Sequence, residues 1–227
     1  MNLPKLYAEL EADREWREDE IRAFQNYVAK LDSAGDRKRY RRALVLLLYA
    51  HYEGFCKFAL TLYVSAVNQS GILCGQADYA LAAASLAGLF RDLRNPNKKS
   101  DIFRRPLPDD SKLHQFARER EFVERTTDLE KLPVNITDDV VDTESNLSPV
   151  VLKKNLYRLG LPHEEFDSHR DDINRLLNIR NGISHGSLKD GVEHPLYVQL
   201  RSSIYSVMSG VSLGVRKALS ETSYVRV

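Results

Sequence analysis

The chain is poor in the residues that fix small folds by covalent or metal chemistry. Only Cys56 and Cys74 are cysteines among 227 residues, so no four-cysteine metal site and no disulfide framework beyond one bridge can form. Two buried thiols in a reducing, cytoplasmic compartment are expected. Neither charge sign dominates: 33 Lys and Arg against 32 Asp and Glu leave a formal +1, which excludes a globally basic nucleic-acid coat but not local patches. The longest uninterrupted apolar run, Ala43–Ala50, falls far short of the ~20 residues that span a bilayer. The first residues lack a cationic segment, an apolar stretch and a small-residue cleavage site, so no secretory leader and no membrane partner are expected. No segment repeats at a period of ~20–50 residues, which excludes a solenoid. Glycine (11) and proline (8) are sparse and gathered in a few places, the mark of long helices with punctuation between them.

What remains is ordinary for one globular domain: 43% apolar and 29% charged residues, in a chain long enough to bury roughly 70% of its unfolded surface. Leu6, Leu10, Ile21, Phe24, Tyr27, Val28 and Leu31 recur at three- and four-residue steps and predict a first helix over about 6–31. Ser33–Asp36 breaks it. A second helix runs from Arg37 to Asn68, basic at its entry and apolar nearly all round between Ala43 and Val64, which places it in the middle of a bundle. Ala80–Leu93 reads as a third, closely packed helix, ended before Pro96. Between Arg91 and Arg105 six basic residues face two acidic ones in an expected loop. A short helix follows near Lys112–Arg125, then an acidic connector over 126–147 with one short strand pair near Val134–Val141. Ser148-Pro149 is a capping serine followed by a first-turn proline, opening a helix to Leu159. Another helix starts near Asp167 or Ser168 and buries Ile173, Leu176, Leu177, Ile179 and Ile183; a last one runs over Pro195–Leu219. The class is all-α: a helical bundle with an embellished middle.

One stretch carries chemistry, Arg175-Leu-Leu-Asn-Ile-Arg-Asn-Gly-Ile-Ser-His-Gly186. Gly182 and Gly186 each cost ~1 kcal/mol of helix stability relative to alanine, so something other than helix propensity retains them. At ~100° per residue, Asn181 and His185 share a face while Arg180 sits ~140° from His185. Arg180 and His185 therefore converge in one of three ways: Arg180 wraps around the helix, the helix distorts at Gly182, or two copies meet across a two-fold axis. These residue types suit metal-free RNA cleavage, in which the 2′-hydroxyl attacks the adjacent phosphorus. Histidine moves protons near neutral pH, and arginine is a permanent, forked cation for the phosphate. Asn181 can orient the imidazole or donate to the phosphate. The same residues also fit a surface arginine and a histidine capping a helix C-terminus.

Arg180-Asn-Gly-Ile-Ser-His185 resembles the Arg-x4–6-His signature of the HEPN superfamily in its Arg-Asn-x3-His form, and Arg41–Phe55, ending in Tyr52-Glu-Gly-Phe55, is similar to the long first core helix of the MAE-like bacterial HEPN nucleases. The resemblance covers about 36–219, apart from 95–147. It implies an antiparallel, up-and-down four-helix core (about 36–94 and 148–219) with an extra N-terminal helix and an inserted irregular region (95–147), all one domain over 1–227. It further implies a homodimer with facing motifs, catalysis by Arg180, Asn181 and His185 with no cofactor, and products ending in a 2′,3′-cyclic phosphate (or 3′-phosphate) and a 5′-hydroxyl. Members of the group serve as defence or toxin–antitoxin nucleases, so an antitoxin or other defence partner is an expectation; others have lost the motif and only bind RNA, nucleotides or partners.

Several other residues are candidates. Glu53 shares a helix face with Leu46, Tyr49 and Lys57: it either pairs with Lys57 at four-residue spacing or supports Arg180 or His185. Ser184 is a second supporter. Arg37, Lys38, Arg41 and Arg42 form a candidate RNA-binding rim, against solvated helix-entry charges as the plainer alternative. His51 reads as a core histidine with one hydrogen bond. His163, His169 and His194 show no metal-ligand spacing, and no Gly-rich phosphate loop, nucleophile elbow or paired-carboxylate motif occurs.

Overall fold

A computed structural model describes residues 2–226. Eight α-helices occur among them: α1 (Leu3–Ala29), α2 (Ala34–Ser70), α3 (Tyr79–Ser85), α4 (Ala87–Arg94), α5 (Ser111–Thr127), α6 (Pro149–Arg158), α7 (Arg170–Ser184) and α8 (His194–Ser220). No strand forms among the described residues, and the class is all-α, as the sequence pattern requires.

The organising element is α2. Its 37 residues bury side chains on nearly every side, Leu44, Leu48, Tyr52, Phe55, Ala59, Tyr63 and Val67 among them. It is also the one described helix long and apolar enough to cross a membrane by length and composition. In this structure α1, α7 and α8 cover it instead, leaving exposed only a narrow outer stripe of Ala43, Ala50 and Lys57 in its apolar part. Ser33 starts the helix by accepting from the Asp36 N–H, and Gly71 ends it in the left-handed conformation, φ +70°.

The N-terminal helix proves integral to the bundle rather than an addition to it. Leu10 and Ile21 are fully buried, and α1 packs against both α2 and α8. Arg17 of α1 lies over Gly54, where a Cβ would come within 2.7 Å of its Nη1. The glycine of the Glu-Gly-Phe element is thus the gap through which a charged α1 approaches an apolar α2. His51 is a core histidine, its Nε2 2.8 Å from the Glu20 carboxylate and its ring edge-on to Trp16.

Two expectations for the middle of the chain need correction. The helix expected over 80–93 is two, meeting at Leu86: α3 buries Leu81 and Ala82, whereas α4 buries nothing and turns away to pack Phe90 against Phe122 of α5. The strand pair near Val134–Val141 does not form. Residues 133–148 are a single strap along α2, with Val134, Ile136, Val141 and Leu147 buried. The hydrogen bonds a partner strand would make come from one antiparallel bridge just past α2, where Val134 N–H donates to Ile72 C=O (2.8 Å) and Cys74 N–H to Leu132 C=O (2.8 Å), and from Asn68 of α2, which accepts from Ile136 N–H (2.9 Å) and donates to Ile136 C=O (2.8 Å). Buried backbone must be paired, but a side-chain amide serves as well as a strand. A single 3-10 turn over Asp138–Val140 occupies the middle of that segment. Both cysteines are free and buried.

Two tyrosines three residues apart on α2 give a stability test. Tyr49 Oη accepts from the buried Leu147 N–H (2.9 Å), whereas the fully buried Tyr52 hydroxyl has no partner among the described residues. Tyr49→Phe orphans a donor and should cost ~1–3 kcal/mol, whereas Tyr52→Phe should be neutral or stabilising. Urea unfolding midpoints check both, and equal losses would contradict this account.

Candidate active site

Helix α7 carries the motif and stays helical from Arg170 to Ser184, so it does not distort at Gly182. It ends at His185, whose N–H donates to Asn181 C=O (2.9 Å), and the next residue, Gly186, takes the left-handed conformation at φ +73°. Beyond it, Leu188 N–H (2.9 Å) and the Ser187 hydroxyl (3.2 Å) both donate to Gly182 C=O. A Cβ on Gly182 would come within 3.1 Å of Leu188 Cβ. Both motif glycines therefore serve the helix end: one adopts a backbone that other residues resist, the other lets the loop fold back over α7.

Arg180 and His185 are differently placed. Arg180 turns inward, its guanidinium 4.7 Å from the centre of the Tyr49 ring. Its Nη1 donates to Asn146 Oδ1 (3.0 Å) and Asn181 Oδ1 (2.8 Å), and no carboxylate pairs with it among the described residues. A cation held by a ring face and two amide oxygens keeps its full charge for an incoming anion. His185 and Ser184 are exposed at the helix end and share no hydrogen bond with Arg180. Asn181 accordingly orients the guanidinium rather than the imidazole, and its amide N–H groups make no hydrogen bond among the described residues.

Glu53 meets neither of its two expectations in full. It forms no ion pair with Lys57 or Arg180 among the described residues; its carboxylate lies beside the Tyr49 hydroxyl. Burial first, and the Glu53 charge with it, push that hydroxyl up from 10 to about 12, against the lowering hydrogen bond from Leu147 and the charge of Arg180. Glu53, Tyr49 and Arg180 therefore form a chain from α2 to α7, with the protonated phenol between the carboxylate and the guanidinium.

Asn146, missed by the sequence reading, completes this group from the far end of the strap. It follows two consecutive non-glycine residues in left-handed backbone, Glu144 (φ +51°) and Ser145 (φ +61°). Such residues cost ~1–3 kcal/mol each and persist only where their surroundings force them. Here Asn155 forces the turn: its side chain accepts from Asp142 N–H (3.1 Å) and donates to Asp142 C=O (2.8 Å). Tyr49 was visible in sequence as the residue one turn before Glu53; Asn146 gave no signal, because only the strap's path brings it to α7.

The basic entry of α2 docks the loop that follows the motif. Arg41 Nη1 donates to Val192 C=O (3.1 Å), Arg42 to Lys189 C=O, Val192 N–H to Lys38 C=O (3.0 Å), and Lys38 pairs with Glu193. Arg37 holds the α1–α2 turn through Leu31 C=O (2.6 Å) and Asp32 C=O (3.1 Å). Each guanidinium uses one nitrogen in these contacts. Among the described residues no group of three or more His, Cys, Asp or Glu side chains could hold a metal ion. Burial pushes the Cys56 thiol well up, which leaves it unreactive.

In comparisons with known proteins, a family described as MAE_28990-like HEPN matches residues 6–224, from the first turn of α1 to just past the end of α8. No curated protein and no solved structure matches the chain.

The buried phenols predict an alkaline transition. Tyr49 and Tyr205 are each raised by burial from 10 to about 12, so the folded chain holds protons that the unfolded chain releases near pH 10. Their contribution is complete below pH 10 and is lost as pH climbs to about 12. Melting temperatures should fall across that window, with phenolate absorbance rising alongside; a flat profile would contradict the placement of both rings.

Proposed function

This chain belongs to the MAE_28990-like HEPN family, and on that premise we propose that it is a metal-independent endoribonuclease acting as a homodimer. In this reading Arg180 of one copy and His185 of its partner face the same phosphodiester. The observation that carries it is the divergence of the two side chains on one intact helix. Arg180 is pinned inward by Asn146, Asn181 and Tyr49, and His185 stands free in solvent at the helix end. With wrapping and distortion set aside, a two-fold pairing is the remaining way to converge them.

The outer stripe of α2 is suited to receive that second copy. Ala43, Ala50 and Lys57 repeat every seven residues along it, with Glu53 on the ridge beside them. The two alanines let another helix approach closely, and Trp16, Phe24 and Tyr27 of α1 and Tyr40 of α2 add exposed apolar area.

The chemistry then balances without a cofactor. One imidazole takes the proton of the 2′-hydroxyl as its oxygen attacks phosphorus, and the bond from phosphorus to the 5′-oxygen breaks. That oxygen receives a proton from water while the imidazolium returns its own to solvent, leaving a 2′,3′-cyclic phosphate and a 5′-hydroxyl. Arg180 holds the non-bridging oxygens as charge gathers on them. Asn181 and the Glu53–Tyr49 pair position Arg180, and Ser184 lies at the rim. Free buried thiols suit the cytoplasm, where a toxin or defence nuclease restrained by a partner protein is the setting we propose.

Cleavage of single-stranded RNA in EDTA tests the reading. His185→Ala should lower kcat by ~10²–10⁴ and Arg180→Ala by ~10²–10³. Mixing the two inactive variants should restore about a quarter of wild-type activity, because half the dimers then carry one intact Arg–His pair. Cleavage that is indifferent to both substitutions, or that requires a divalent ion, refutes it. RNA binding without cleavage by the wild-type chain would favour a binding module instead.

A further inference from the structure

Between the last turn of α1, the entry of α2 and the first turn of α8 lies a cavity of about 240 Å³ that the motif does not use. Its charged lining is of one sign. Arg37 and Arg41 line it beside His194, and no carboxylate does among the described residues. The acids nearest in sequence are engaged elsewhere: Glu193 pairs with Lys38 and Asp36 with Arg39. Each arginine commits one nitrogen to backbone carbonyls, so its other N–H groups remain for a ligand. The first turn of α8 adds its own positive end. Glu193 makes no side-chain cap there, which leaves the His194 and Leu196 N–H groups to solvent or an anion.

The rest of the lining is not that of a simple ion site. Val28, Leu44 and the buried Tyr197 give it an apolar wall, and one polar group stands against that wall. Gln25 Oε1 accepts from Arg201 (3.0 Å) while its amide N–H groups are unengaged among the described residues. Cations for a phosphate, an apolar wall for a base and an amide for its edge describe one nucleotide unit.

The cavity is tied to the motif by a short loop. His194 is nine positions after His185, at most ~30 Å even if fully extended, and Arg41 and Arg42 fasten that loop to α2 at Val192 and Lys189. We propose that this cavity holds a nucleotide of the RNA strand a short distance from the scissile phosphate. It would thus choose where the strand is cut, an inference that rests on the ribonuclease reading above. A free mononucleotide offers the same chemistry, and the test separates the two.

The test measures binding of a fluorescein-labelled single-stranded RNA by anisotropy, using the full chain with His185→Ala so that the RNA stays whole. His194→Ala removes one polar rim group, and Ala29→Trp fills the cavity mouth; both positions are exposed, so thermal melts should not change. Each should raise Kd for RNA about tenfold, in the range of one lost base contact, and 5′-AMP should displace the RNA from the parent but not from Ala29→Trp. RNA affinity within twofold of the parent in both variants overturns the proposal. AMP that saturates the parent, is blocked by Ala29→Trp and leaves RNA bound also overturns it, assigning the cavity to a free nucleotide. A wild-type chain that binds RNA through this cavity yet cuts none leaves the nucleotide subsite standing and removes the nuclease reading, and with it the choice of cut site.

Discussion

The rest of the structure depends on the need to cover a helix that has almost no polar face. Between Ala43 and Val64, α2 presents apolar side chains in nearly every direction. Apolar area left in water costs ~25 cal/mol per Å², so each flank must find a neighbour. Helices α1, α7 and α8 supply three. The fourth is no helix at all but the strap over 133–148, which reaches the same end by burying Val134, Ile136, Val141 and Leu147 while α2 and its C-terminal turn satisfy its backbone.

That solution builds the candidate site as a by-product of packing. The strap ends where Leu147 docks on Tyr49, and one residue earlier Asn146 meets Arg180. A tyrosine ring forms the floor under the guanidinium, amide oxygens hold its edge, and an acid two bonds of contact away biases the phenol towards its protonated form. None of these groups neutralises the arginine. The result is an oriented cation with its charge unquenched, which a surface arginine paired to a carboxylate would not be. His185 is presented by a different device, the glycine-terminated end of α7, and the docked loop beyond it keeps that end in place.

The basic entry of α2 shows how a charge cluster can be structural and still leave capacity for ligands. Arg37, Arg41 and Arg42 each brace a turn or loop through backbone carbonyls, so they are more than solvated helix-entry charges. A guanidinium has five donors in a fixed fork, and one or two such contacts leave the remainder facing outward or into the adjoining cavity. Arginine rather than lysine at these positions makes both roles compatible.

Periodicity and punctuation in the sequence determined the α-helical class, the bundle, the central place of α2 and most helix ends, because a 3.6-residue repeat and a capping serine or left-handed glycine are local properties. It also showed Arg180, Asn181 and His185 as a unit, their angular separation on the helix, and Glu53 one turn after Tyr49. Non-local contact decided the remainder. That the 80–93 segment breaks at Leu86 follows from α4 leaving the core for α5, and that 134–141 forms no strand pair follows from Asn68 of α2 taking the bonds a second strand would have made. Asn146 carries no local signature, because its importance lies in where the strap happens to end. Gly54 is legible as an anomaly in an apolar helix, but only the fold shows that Arg17 from another helix occupies the space a side chain would fill.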